Sequence, residues 1–442
     1  MRTRPLTRII VCAAACILWA NAGAKDSADN TYRGIPPGYD FPANQQTLLN
    51  YRDRVDVEAI RKHAWMVWAG LTHQPSQDQA AAFETWYSMP RAYDPNSNSD
   101  SGKRGLREHF ATPRQFSTHA DDPGESRLSQ ILFNRESYDY IRNNKMYLSK
   151  TVAGLNAKFN AQHTPPELRT VPAFPNAAVA VKTVWWPVRG EGISPVPVWD
   201  NDPANPIDSG AGNPKDKRGN GAETWKRVVA VVTPGTEMPA GNRTTMNFNG
   251  KLRQDSHAVP LSDFYHFKIT PQILKAIDDA QIDDFGDVQV GDYAVLVAMH
   301  VSTREIPDWV WSTFWWHDRP DQGPYAQNRP REVQGVWQNY LMNTTLSMDT
   351  PREQDGSPKI VFNPYVEGKF SNGVLSNCMT CHNRSINAPL AENLCGALPI
   401  TRGSTDLPPN DPRRATRTKL EFLWSLLFRP VPITPCAAGG SG

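Results

Sequence analysis

The chain runs to 442 residues, with 47 Lys and Arg against 45 Asp and Glu, 38 prolines, 14 tryptophans and six cysteines. A balance so close to neutral, without a basic run, gives nucleic acid or an anionic membrane surface no electrostatic hold, and both are set aside as partners. That much proline argues against a helical bundle and for short strands, long ordered loops and a few helices.

Residues 1–24 read as a secretory signal peptide. Arg2, Arg4 and Arg8 form a positive start, Ile9 to Ala20 is an apolar run of 12, and Ala20-Asn21-Ala22 and Ala22-Gly23-Ala24 offer small-residue cleavage sites. The run falls short of the roughly 20 residues a spanning helix needs. The alternatives are an uncleaved anchor or a lipid anchor at Cys16, the latter weakened by the apolar residues that follow. Without the three arginines the balance is 44 basic to 45 acidic, a net charge of about −1. No later stretch is apolar enough to be transmembrane, so the expected product is exported and periplasmic, with no integral membrane segment.

Residues 25–55 are expected to form an extended lead-in, with Gly34, Pro36, Pro37 and Gly38. A body of mixed helix and strand should follow over 56–350. In it, Val57, Ile60, Ala64, Trp68 and Leu71 fall at helical spacing behind Asp56, a candidate cap. A second short helix is predicted over "AAFETWYSM" and a third from about 126 to 148. From about 170 the character turns to strand: 177–188, 224–233 and 291–302 are rich in β-branched and aromatic residues between turn formers. The Gly/Pro/Asn/Asp-rich segment 200–223 reads as a surface loop. Along 293–301 both faces are apolar, which predicts a central strand. In "WVWSTFWWHD", Trp309, Trp311, Thr313, Trp315 and His317 alternate with Val310, Ser312, Phe314 and Trp316. Packing in an aromatic core is the favoured reading of these tryptophans; lining a flat macrocycle is the other. No internal repeat occurs. The expected class is α+β: a β-rich body, N-terminal helices, and a distinct C-terminal segment over 351–442.

That last segment carries the chemistry. Cys378-Met379-Thr380-Cys381-His382 is a Cys-x-x-Cys-His peptide, the minimal unit for covalent haem attachment, with thioethers at the two cysteines and the histidine as an axial ligand. Two other readings compete with it. A zinc site from Cys378, Cys381, Cys395 and Cys436 would leave His382 idle and place reduced thiols in an oxidising space. A thioredoxin-like pair needs a strand ahead of the motif within a βαβ unit, which "YVEGKFSNGVLSNC" does not offer. Export favours haem, and a disulfide is then the default expectation for Cys395 and Cys436.

Through residues 378–382 the chain resembles c-type cytochromes, strictly over those five residues and loosely over 365–442. The resemblance implies one covalent haem c, with thioethers at Cys378 and Cys381 and proximal ligation by His382. More loosely, "MHVSTREIPDWVWSTFWW" is similar to a stretch of large exported bacterial proteins with a single such motif, a likeness that carries no activity. The chain departs from small cytochromes in one respect. No methionine follows Met379 and no histidine follows His382, so the 60 residues to the C-terminus supply neither customary axial ligand. A sixth ligand would come from upstream, with His300 and His317 first and His266, His257, Met299 and Met246 behind them. The iron face would otherwise be open or closed by water, or taken by a rarer Lys, Tyr or amine ligand.

The leading expectation is a monohaem protein that transfers electrons to an unidentified redox partner. The alternatives are a haem enzyme, a peroxidase-like or small-molecule oxidoreductase in which Arg384 or Arg304 assists, and a binding or scaffold protein with an auxiliary haem. No catalytic residue is assigned. There is no HExxH, GxSxG or Walker pattern, and the carboxylates Asp283, Asp284, Asp287 and Asp292 lack calcium-loop spacing.

Overall fold

A computed structural model describes residues 31–76, 79–97, 128–199, 221–222, 225–279, 287–346, 356, 359–368, 376–387 and 415–426. The signal segment, the loop over 200–223, Asp283, Asp284, Cys395 and Cys436 lie outside them, or nearly so in the case of the loop. The fold is mixed α+β, built on two sheets. The larger is antiparallel, in the order β1 (Tyr87–Ser88), β2 (Leu128–Phe133), β3 (Val179–Val188), β9 (Tyr293–Thr303), β10 (Val310–Trp316), β11 (Tyr340–Thr345). β8 (His266–Lys268) pairs with the start of β9, beyond the reach of β10. The smaller sheet runs β4 (Ile193–Pro197), β5 (Val228–Val232), β7 (Lys251–Pro260), β6 (Arg243–Phe248), with β5 and β7 parallel.

β9 lies between β3 and β10, as its two apolar faces predict. Register sorts the large sheet into two faces, because directly opposed antiparallel residues point the same way. One face carries Met299, Phe314 and Met342. The helix α2 (Val57–Leu71) covers it, started by Asp56, whose side chain accepts the Ala59 N–H. Trp68 stacks on Phe314 at 4.1 Å between centroids, and Trp65 meets the same ring edge-on. Trp315 and Trp316 are buried in the same core cluster, as the packing reading expects of them.

The opposite face carries Lys182, His300, Thr313 and Asn343 in one row and Ala180, Ser302 and Trp311 in the next. Over it lie two short C-terminal helices, α7 (Pro364–Glu367) and α8 (Cys378–His382). The described part of the C-terminal segment therefore packs on both sheets: Asn363 donates to Thr313 Oγ1 of the larger at 2.7 Å, and Tyr365 O–H donates to the Pro197 carbonyl of the smaller at 2.6 Å.

Three local expectations are corrected. The lead-in is helical over α1 (Gln45–Asp53), capped by Asn44. The helix expected over 126–148 divides into β2 and α4 (Arg135–Asn143): Leu128–Phe133 pairs with β3, and Asn134 ends the strand and caps the helix. The stretch "AAFETWYSM" opens as a single 3₁₀ turn over Ala82–Thr85 and passes into β1, from which α3 (Met89–Tyr93) departs. Further helices form at α5 (Ser149–Ala161) and α6 (Pro271–Asp279).

Candidate functional site

The Cys-x-x-Cys-His peptide is itself α8. Asn377, fully buried, starts it: its side-chain oxygen accepts the Met379 N–H while its amide nitrogen donates to the Lys359 carbonyl at 3.0 Å. A parallel bridge joins Asn377 to Val361, and the Cys378 N–H donates to the Val361 carbonyl at 3.0 Å. Three residues apart on one helical turn, Cys378 and Cys381 share a face. Both are free thiols, and Met379 is buried in the core.

His382 closes the helix with its ring fixed. Nδ1 lies 2.7 Å from the Phe422 carbonyl oxygen. A carbonyl can only accept, so Nδ1 carries the proton and the ring lone pair is on Nε2. Burial pushes this imidazole down to about 4 against the pull of that carbonyl, so the ring is neutral at ordinary pH. Trp311 from β10 flanks it at 4.3 Å between centroids. Phe422 belongs to a segment stitched between two others. Leu420 N–H donates to the Ser385 carbonyl at 3.0 Å and Asn387 N–H to that of Thr418 at 2.8 Å, beside the motif. On the far side Lys419 exchanges bonds with Arg169 and Val171 at 2.7 and 3.0 Å.

Glu367, at the end of α7, faces the motif from the sheet side. Its Oε1 is 3.0 Å from His300 Nε2, and its Oε2 accepts the Asn363 N–H at 2.6 Å. Burial works to raise its carboxyl, but His300, that N–H and Lys182 outweigh it and hold the group below the usual range. His300 and Lys182 are near enough to His382 to disfavour its protonation. Burial, with the Glu367 charge second, pushes the Cys378 thiol far up; burial above all raises Cys381 to about 11. A thioredoxin-like pair depends on the opposite, a thiolate favoured near neutrality.

Of the upstream ligand candidates, His300 lies near enough to His382 to interact with it electrostatically. His317 lies just past the end of β10, where Nδ1 accepts the Arg319 N–H at 2.9 Å and Nε2 stands 3.2 Å from Arg227. Arg227 grips the buried Asp318 at 2.9 and 3.0 Å, and His257 Nδ1 joins the same carboxylate at 3.1 Å. His266 Nδ1 pairs with the Phe264 carbonyl at 2.9 Å. Met299 falls on the α2 side of the sheet, and Met246 in the core of the smaller sheet. Arg304 is bound to Glu421, and Arg384 is near Cys381.

Phe422, Glu367 and the flanking role of Trp311 were not foreseen. Glu367 had a signal in Asn363-Pro364-Tyr365-Val366-Glu367, a capping residue and proline with an acid that reaches back to the cap amide. No sequence pattern marks Phe422, which acts through its backbone. Among the described residues, no three or more His, Cys, Asp or Glu side chains converge as a metal ion held by protein alone requires. A porphyrin iron asks the chain for only one or two donors. No family model, curated protein or solved structure matches the chain.

Proposed function

We propose that the protein is an exported monohaem c-type cytochrome-like electron carrier, with haem attached at Cys378 and Cys381 and ligated by His382. The observation that carries this reading is the bond from His382 Nδ1–H to the Phe422 carbonyl at 2.7 Å, which presents Nε2 as the ring's donor. A histidine that binds iron needs its second nitrogen held in this way, to fix the tautomer and orientation. The donor set fits the group in chemistry as well: two free thiols on one helical face and a neutral imidazole one residue on.

When bound, the haem supplies a one-electron cycle of its iron. The chain's part is to hold, orient and enclose. Asn377 fixes the start of the helix and hence both sulfur positions. Phe422 and Trp311 fix the ring of His382. We carry His300 forward as the sixth-position residue. Glu367 can only accept while ionised, so His300 Nε2 donates to it. To hold the iron, His300 would offer Nδ1, or Nε2 after release from Glu367. Two axial imidazoles would leave no open iron site, consistent with electron transfer over small-molecule chemistry. Export rests on the signal-like residues 1–24, and among the described residues no helix is long and apolar enough to cross a membrane.

The test is expression with haem-attachment machinery, followed by intact mass and haem staining after denaturing electrophoresis. One haem added to the mature mass, lost in the Cys378→Ser/Cys381→Ser variant, is expected. A wild-type mass equal to the bare polypeptide overturns the proposal.

A further inference from the structure

The carbonyl that orients His382 stands on an unusual turn. Glu421 and Phe422 both adopt positive φ, 49° and 65°, a left-handed conformation that bulky residues keep only where their surroundings hold them. The holder is visible. Arg304, one residue past the end of β9, reaches the Glu421 carboxylate through Nε at 3.1 Å and a terminal nitrogen at 3.4 Å. Trp309, itself left-handed at φ 63° and fully buried, donates its indole N–H to the same carboxylate at 3.2 Å. The Arg304 and Glu421 side chains are only 8% and 10% exposed, so water contributes little to the contact. Trp309 and Trp311 sit 6.2 Å apart, and Trp311 is the ring against His382. The β9–β10 connection thus grips the turn by its side chain, while Trp311, just beyond it in β10, packs on the imidazole that the turn orients.

We infer that Glu421, held by Arg304 and Trp309, is a positioning residue that sets the bond between Phe422 and His382 and through it the donor strength of His382 Nε2. This rests on the haem reading of the motif. A firm Nδ1–H···O=C bond pushes electron density onto Nε2, and a stronger donor favours ferric over ferrous iron. Loosening the clamp should therefore raise the reduction potential while leaving the thioethers, which lie on α8, intact.

The experiment uses the full-length haem-loaded protein and spectroelectrochemical titration. Glu421→Gln keeps the shape and removes the charge; Trp309→Phe keeps the ring and removes one hydrogen bond. A tenfold loss of ferric preference in Glu421→Gln appears as a rise of about 59 mV for one electron. Trp309→Phe should shift the potential the same way by less, and Arg304→Lys, which keeps the ion pair, should restore most of the wild-type value relative to Arg304→Met. Leu426→Ala, in the same core cluster but outside the clamp, should lose stability without moving the potential. Covalent haem in the wild type with an unchanged or lowered potential in both Glu421→Gln and Trp309→Phe overturns the inference and leaves the haem reading standing. A shift in Leu426→Ala equal to theirs also overturns it, by reducing the clamp to general stability. Absence of haem from the wild type is a separate result, which removes the reading beneath it.

Discussion

His63 and Glu305 form a buried ion pair that should govern the stability of the fold in alkali. Glu305 is fully buried and accepts from three sides: the Ala43 N–H at 2.7 Å, the Thr303 hydroxyl at 2.5 Å and His63 Nε2 at 3.0 Å. Burial alone would drive the imidazole of His63 down, but the Glu305 carboxylate, with Asp40 beside Nδ1, outweighs it and raises the group from 6.5 to about 9. A folded value above the unfolded one means that the contribution is complete below about 6.5 and is lost as pH rises through about 9. At 1.36 kcal/mol per decade the loss is about 3 kcal/mol. Urea titrations of wild type and Glu305→Gln between pH 6 and pH 10 measure it. The variant should be less stable by about 3 kcal/mol at the acid end, with the gap closing at the alkaline end. Parallel pH profiles for the two proteins would refute the reasoning, since they would mean His63 keeps no proton that Glu305 retains.

At the other end of the pH range, Asp318 is held down to about 2 by Arg227 despite its burial, with His317 and His257 assisting. Its contribution is present above the ordinary carboxylate value of 3.8 and is lost as pH falls through about 2; it amounts to about 2 kcal/mol. Acid titration of Asp318→Asn should show that portion of the pH dependence missing. Trp68→Ala removes the ring stacked on Phe314 and should cost about 3–5 kcal/mol in denaturant titration, whereas Trp68→Phe should cost far less. On the haem reading, His300→Ala should convert a low-spin spectrum to high-spin while His317→Ala leaves it low-spin; retention of the low-spin spectrum by both rejects His300 as the sixth ligand.

Pattern was legible where one element met one uniform environment. Strand 293–303 has apolar residues on both faces, and the fold places it in mid-sheet. Helix 57–71 has a 3.6-residue stripe and a capping Asp56. Residues 128–133 read as helix because Leu128, Ile131 and Leu132 fit helical spacing; pairing with β3 decides otherwise, and Asn134 marks the boundary. The Cys-x-x-Cys-His pattern itself is plain, because its residues are adjacent in sequence. Its supports are not. Phe422 contributes a carbonyl, which every residue has, and Glu421 contributes a carboxylate aimed at an arginine 117 positions away. His300 and His317 looked alike as histidines in neighbouring aromatic strands. β10 ends at Trp316, so His317 leaves the sheet and is taken up by Arg227, while His300 stays within β9 beside Glu367.

The burial of Cys378 bears on how such a protein would be made. That residue is 9% exposed, and the segment 418–426 is sewn down against both the tail of the motif and residues 169–171. A porphyrin that had to bond to Cys378 would reach it more readily before those seams close. On the haem reading, the chain would be loaded before residues 418–426 settle, and a finished, folded apoprotein given free haem in a test tube should take it up poorly. Loading would then act as a licence for closure in the life of the molecule, ahead of any electron it carries.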